Sequence, residues 1–166
     1  VRTLRDVGRY EDYLDAARTL AREHPHEVLV RIEAAYACDS FGTEYDAVAH
    51  YDAAHALGVP EDKRRDFSLG YGSTLRNVGR LRESLAVLRD AVLAFPEDRG
   101  LRAFFAITLS SAGRSGEAVA ELLDVVLALA EPENARDVCV VDRALAHYRD
   151  QLQGLASLEA RVPPVS

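Results

Sequence analysis

The strongest constraint on this chain is a period. Gly8, Gly42, Gly79 and Gly113 recur with gaps of 34, 37 and 34 residues. Self-similarity on this scale marks stacked supersecondary units, each too small to bury its apolar face alone. The residues around each glycine keep its register. Five positions on stand Tyr13, Ala47, Ser84 and Ala118, small in three of the four units. Nine positions on stand Ala17, Tyr51, Leu88 and Leu122, mostly bulky. Seventeen positions on stand Pro25, Val59, Pro96 and Ala130, and the two units without proline there have Pro60 and Pro132 nearby. Proline lacks an N–H and clashes with the preceding turn, so it stops a helix. Seven positions before the glycine, Ala35, Gly72 and Ala106 supply further small residues. Small residues where helices cross, a bulky wedge and a proline stop describe a repeated helical hairpin.

Helices are therefore expected over 9–24, 27–41, 44–57, 61–78, 81–94, 98–112 and 115–130, with Thr43 and Ser115 as N-caps. The gap of 37 implies a longer turn near 57–63, where Gly58 and Pro60 stand. A last helix over 135–152 carries one apolar stripe, Val138, Val141, Leu145, Tyr148 and Leu152. It has no hairpin partner in register and is expected to cap the open end, with Val141, Leu145 and Tyr148 facing Leu122, Val125 or Val126. Residues 154–166, with Pro163-Pro164, are expected to form a loose tail.

This pattern resembles the tetratricopeptide repeat, and the third unit follows it best through Tyr71-Gly72, Leu75, Ser84, Leu88 and Pro96. Gly72-Ser73-Thr74-Leu75-Arg76-Asn77-Val78-Gly79 and Asp39-Ser40-Phe41-Gly42-Thr43-Glu44 are similar to a small bacterial family of such proteins with no assigned activity. The resemblance covers most of residues 1–150. It implies an all-α fold, a right-handed helical solenoid of about four helix-turn-helix repeats plus the C-terminal cap. The array would span 1–153, in units of about 1–27, 28–61, 62–97 and 98–132. It implies a bacterial, cytoplasmic protein and carries over no catalytic residue.

In such arrays the first helix of each hairpin lines a concave groove. The resemblance places Ile32, Tyr36 and Asp39 there from the second unit, Leu69, Ser73 and Arg76 from the third, and Ile107 from the fourth, with Asn77 on the rim. Arg76 has two readings. Its planar guanidinium suits two parallel hydrogen bonds to a carboxylate of a ligand, or it bridges to Asp39 one repeat earlier. Tyr36 is either an amphipathic anchor of the kind enriched at binding hot spots or groove packing. The Lys and Asn that grip a C-terminal carboxylate in chaperone-binding repeats are absent from the corresponding positions.

The remaining chemistry points away from catalysis. A net charge of −7 opposes a phosphate-backbone partner. No apolar run is long enough to span a bilayer. The two cysteines, Cys38 and Cys139, read as buried free thiols, which fits a reducing compartment. The five histidines, among them the pair flanking Pro25, make no zinc-ligand pattern, and neither a nucleophile elbow nor a phosphate loop occurs. No metal or cofactor is expected. Since Val1 opens a chain without methionine, the translation start is expected upstream. The expected function is a scaffold that binds a protein or peptide. The alternatives are a self-associating module, which would make a homo-oligomer, and a sensor fragment of a regulator that binds a small peptide.

Overall fold

The computed structural model describes residues 9–41, 43–129 and 147–154. Seven helices follow in order: α1 (Tyr10–Glu23), α2 (Val28–Ser40), α3 (Glu44–Leu57), α4 (Glu61–Asn77), α5 (Leu81–Ala94), α6 (Arg99–Ser111) and α7 (Ser115–Leu129). Residues 147–154 are also helical. Helix ends fall within one residue of those the periodicity predicts. The chain divides into two compact units, Val1–Val87 and Leu88–Ser166.

The periodic glycines act through backbone sign. Gly79 and Gly113 have φ of +81° and +78°, with nothing close to a would-be Cβ. That left-handed conformation closes the helix end, because the next N–H then bonds the carbonyl five residues back. Arg80 N donates to Leu75 O at 2.8 Å and Arg114 N to Leu109 O at 2.9 Å. Thr43 N repeats the bond to Cys38 O at 3.2 Å.

Two expected caps are otherwise. The Thr43 hydroxyl donates backwards to Cys38 O at 2.9 Å and caps nothing ahead of it. Ser115 is the first helical residue, and Arg114 O takes the first helical bond, from Ala118 N. Asp98 supplies a side-chain cap for α6, accepting from Leu101 N at 2.9 Å.

The longer turn expected near 57–63 is also corrected. Residues 58–60 form a shorter connection than 24–27 or 95–98. The additional length lies in α4, which has 17 residues where α2 and α6 have 13. Its first turn is stabilised locally, by Glu61–Arg64 at 2.5 Å and by acids at the positive helix end.

In the first unit one core joins α2, α3 and α4 through Ile32, Ala35, Cys38, Ala47, Tyr51, Ala54, Phe67, Tyr71 and Leu75. A second cluster seats α1 on α2 through Tyr13, Ala17, Ala21, Ala34 and Ala37. Tyr13, the bulky residue in a small slot, is accommodated because its hydroxyl reaches Glu33 Oε1 at 3.1 Å. At the α4–α5 crossing Ser84 donates to Gly72 O at 2.6 Å, a distance that needs both residues small. The Tyr51 ring stacks on Tyr71 with centroids 5.5 Å apart and meets Phe67 edge-on at 5.4 Å. A Cβ on Gly70 would overlap the Tyr51 hydroxyl and lie 3.2 Å from the ring carbon bearing it.

In the second unit Leu101, Ala106, Thr108 and Leu109 of α6 and Ala118 and Ala120 of α7 are buried. Leu122, expected as a wedge, is 44% exposed. Residues 147–154 lie against α7. Arg149 Nη1 is 3.2 Å from Asp124 Oδ1, and Leu152 lies 3.7 Å from where a Gly116 Cβ would stand. Tyr148 is exposed rather than set on α7. The rest of the expected cap, with Val141 and Leu145, lies outside the described residues, as do the tail from 155, residues 1–8, Gly42 and Cys139.

An arginine clasp recurs in both units. Arg31 donates to Pro25 O at 2.9 Å and reaches His50 at 3.1 Å. Arg102 donates to Pro96 O at 3.1 Å and to Glu121 at 3.1 Å. Each holds the end of the preceding hairpin and the second helix of its own.

Two substitutions test this packing. Ala118→Leu should destabilise the protein by about 1–3 kcal/mol in chemical denaturation through overpacking. Gly70→Ala gains about 0.5–1 kcal/mol of helix propensity but should still be destabilising, and adding Tyr51→Phe should recover most of the loss. A cycle showing no coupling between positions 51 and 70 would contradict the close approach.

Candidate functional site

The face expected to bind is built, in the first unit, by α2 and α4. Their side-by-side placement is fixed by a polar bond. The Thr74 hydroxyl lies 2.8 Å from Asp39 Oδ1 and 2.9 Å from Gly70 O, sharing one proton between an interhelical and an intrahelical acceptor. Thr74 is fully buried, so it is a strut between helices.

The expected groove residues separate into three groups. Ile32 is 1% exposed and belongs to the core rather than the face. Its position in the register is right, but it packs into the core cluster with Tyr51 of α3 and Phe67 and Tyr71 of α4. Tyr36, Asp39, Leu69, Ser73 and Arg76 are half-buried and Asn77 is exposed, all within the first unit. Ile107, 46% exposed, lies on α6 in the second unit. Tyr36 packs on the core and meets Tyr51 edge-on at 6.1 Å, so it is tethered at one side of the ring.

The Asp39–Arg76 bridge does not form. Asp39 is taken by Thr74, and Arg76 turns to its neighbour. Arg76 Nε and Nη2 lie 3.3 and 2.9 Å from Asn77 Oδ1. Asn77 Nδ2 in turn donates to Glu44 Oε1 at 2.7 Å. Arg76 Nη1 is buried without an acceptor among the described residues. Glu44 was visible in the sequence only as a residue near the turn glycine. Its spacing of 33 residues from Asn77, close to one period, is the signal that pairs them.

Burial is the main influence on Asp39 and raises its carboxyl above the ordinary range; the Thr74 hydrogen bond offsets this and Glu44 adds to it. Asp52, on the other helix of the hairpin, goes the opposite way. Burial works against its ionisation, but hydrogen bonds from Arg80 and Tyr71 and the charge of Arg80 outweigh it and hold the carboxyl low. Tyr71 Oη donates to Asp52 Oδ1 at 2.6 Å, and Arg80 Nη1 lies 2.7 Å from Oδ2. The first-helix face thus carries a guanidinium with a spare donor, a half-buried carboxylate and an anchored phenol. Among the described residues no three His, Cys, Asp or Glu side chains cluster as metal ligands. No described helix is long and apolar enough to cross a membrane.

Tandem helical hairpins with a mixed polar and apolar first-helix face define a helical-repeat interaction protein. The chain matches the tetratricopeptide-repeat family model over residues 28–152 and belongs to that family. The match begins at the first residue of α2. Among solved structures, the fold is similar to that of MamA, residues 41 to the end, from Desulfovibrio magneticus RS-1. The TM-score is 0.64 at 16% identity, covering 98% of this chain and 93% of that one. The comparison with curated protein sequences finds no match.

The two carboxylates give opposite pH signatures. A folded-state pKa below the unfolded value, as at Asp52, contributes stability above about pH 4 that is lost as pH falls through the folded value. A raised pKa, as at Asp39, favours folding below about pH 4, and that contribution fades as pH rises through the folded value. Asp52→Asn should therefore lower stability at pH 7, with the gap closing in acid. Asp39→Asn, which keeps an acceptor for Thr74, should match or exceed the parent at pH 7. Denaturant titrations at pH 3.5 and pH 7 separate the two.

Proposed function

We propose that this protein is a non-catalytic scaffold that binds a segment of another polypeptide on the first-helix face of α2 and α4. Tyr36 and Leu69 provide apolar contact, Ser73 and Asn77 hydrogen bonds, and Arg76 orients an acidic group of the partner. The observation that carries this reading is the Arg76 guanidinium. It has a buried Nη1 without an acceptor and an uncharged neighbour in place of a carboxylate. A carboxylate that draws the half-buried guanidinium off Asn77 gives it a charged acceptor in place of an uncharged one, and a partly desolvated pair of this kind contributes more than a surface one. In the second unit, Ile107 is an exposed apolar residue of α6.

Self-association is the alternative. Val119, Leu122 and Val126 form an i, i+3, i+7 stripe on α7, each about 44–45% exposed. Sedimentation velocity across a concentration series separates the two: a monomer at every concentration removes the second reading.

Peptides selected from a displayed random library against the whole chain should be enriched in an acidic residue beside apolar ones. Arg76→Glu should weaken them by about 30-fold, about 2 kcal/mol. Arg89→Glu, at an exposed position of α5, should leave affinity unchanged. Equal losses at the two positions would move binding off this face.

A further inference from the structure

On the other helices of the first unit, α1 and α3 leave an open cleft of about 720 Å³ lined by Asp15, Arg18, Thr19, Arg22, Asp46 and His50, with Ala49. Small-ligand sites span roughly 300–1,000 Å³. Some of the charges here are already matched. Arg18 Nη2 lies 2.7 Å from Asp46 Oδ2, a pair that bridges the two helices. Arg31, entering from α2, places Nη1 3.1 Å from His50 Nδ1. A guanidinium only donates, so Nδ1 accepts and the neutral ring carries its proton on Nε2. Burial foremost, then the charge of Arg31, disfavours protonation of His50, with Asp46 opposing.

Two charges are left over. Arg22 reaches only the Thr19 hydroxyl, at 3.2 Å, and Asp15 has neither a hydrogen bond nor an ion pair among the described residues. Both are exposed, and both line the cleft from one side of α1. Seven residues of helix separate them by about 10 Å along the axis. An extended tripeptide is about 10 Å long.

We propose that this cleft is a second binding site, independent of the first-helix face, for a small zwitterion of the free-tripeptide class. The ligand carboxylate sits on Arg22 and Thr19 and its ammonium on Asp15, while the matched Arg18–Asp46 pair joins the two helices between them and the neutral His50 lines the cleft from α3. A simple anion fits less well, because Asp15 and Asp46 repel it.

Calorimetric titration of triglycine into the whole chain at low salt tests this. Triglycine should bind, and its N-acetylated and C-amidated forms should each bind about ten-fold more weakly, the scale of one charged hydrogen bond. Asp15→Asn should abolish the discrimination against acetylation, and Arg22→Gln the discrimination against amidation. Circular dichroism checks that both variants keep their helix content. Arg76→Glu should change none of these values, which keeps this outcome separate from that of the first-helix face. Absence of triglycine binding, or equal binding of the blocked forms, would overturn the proposal. So would inorganic phosphate binding as tightly as triglycine and tightening further in Asp15→Asn, the behaviour of a plain anion site.

Discussion

The first unit depends on the seating of one phenol ring. Tyr51 of α3 is fully buried, stacked on Tyr71, edge-on to Phe67 and Tyr36, with its hydroxyl in the space a side chain at Gly70 would need. One residue thereby sets the distance between α3 and α4 and the height at which α2 lies over both. Aromatic rings of this size dominate core energetics and prefer offset or edge-on geometry. A neighbour can yield to them only by being small, and Gly70 is such a neighbour. Burial also pushes the Tyr51 phenol well above its usual range, so it stays neutral wherever the fold is intact.

The face on α2 and α4 is a consequence of that seating. With Tyr51 beneath it, Tyr36 is held at the edge of the core, and Thr74 comes within reach of Asp39. Asp39 then has a partner, and Arg76 is left to lean on Asn77, which in turn donates to Glu44. The electrostatic character of the face is therefore a by-product of packing one layer down. Asp39 and Glu44 are engaged by Thr74 and Asn77, and the guanidinium keeps a spare donor.

The hairpins were legible in the sequence because they rest on short-range rules. Left-handed glycines at 79 and 113, small residues at 47, 84 and 118, and proline stops at 25 and 96 each act within one or two turns. The face was legible by register and blurred in detail. Periodicity puts Ile32 and Tyr36 on one stripe, but the first is buried in the core and the second is half-open at its edge. Partner choice was less legible still. Asp39 and Arg76 share a repeat position, yet a buried hydroxyl two residues from Arg76 takes the carboxylate first. The α1–α3 cleft left no motif, since its residues come from two helices that are not consecutive and each side chain alone is an ordinary surface charge.

The additional turn of α4 bears on how chains of this kind change length. The repeat from Gly42 to Gly79 is longer than its neighbours, yet the connection before α4 is the shorter one, and the surplus is spent as helix. Three or four residues make about one α-helical turn, so such an insertion leaves every later side chain on its original face. The arginine clasps of Arg31 and Arg102 reach back to the residues that close the preceding hairpin, at Pro25 and Pro96. Length at this joint is thus counted in turns rather than in residues. A homologue that gains or loses one whole turn there keeps the same core register, whereas a change of two residues would rotate Phe67, Tyr71 and Leu75 out of it.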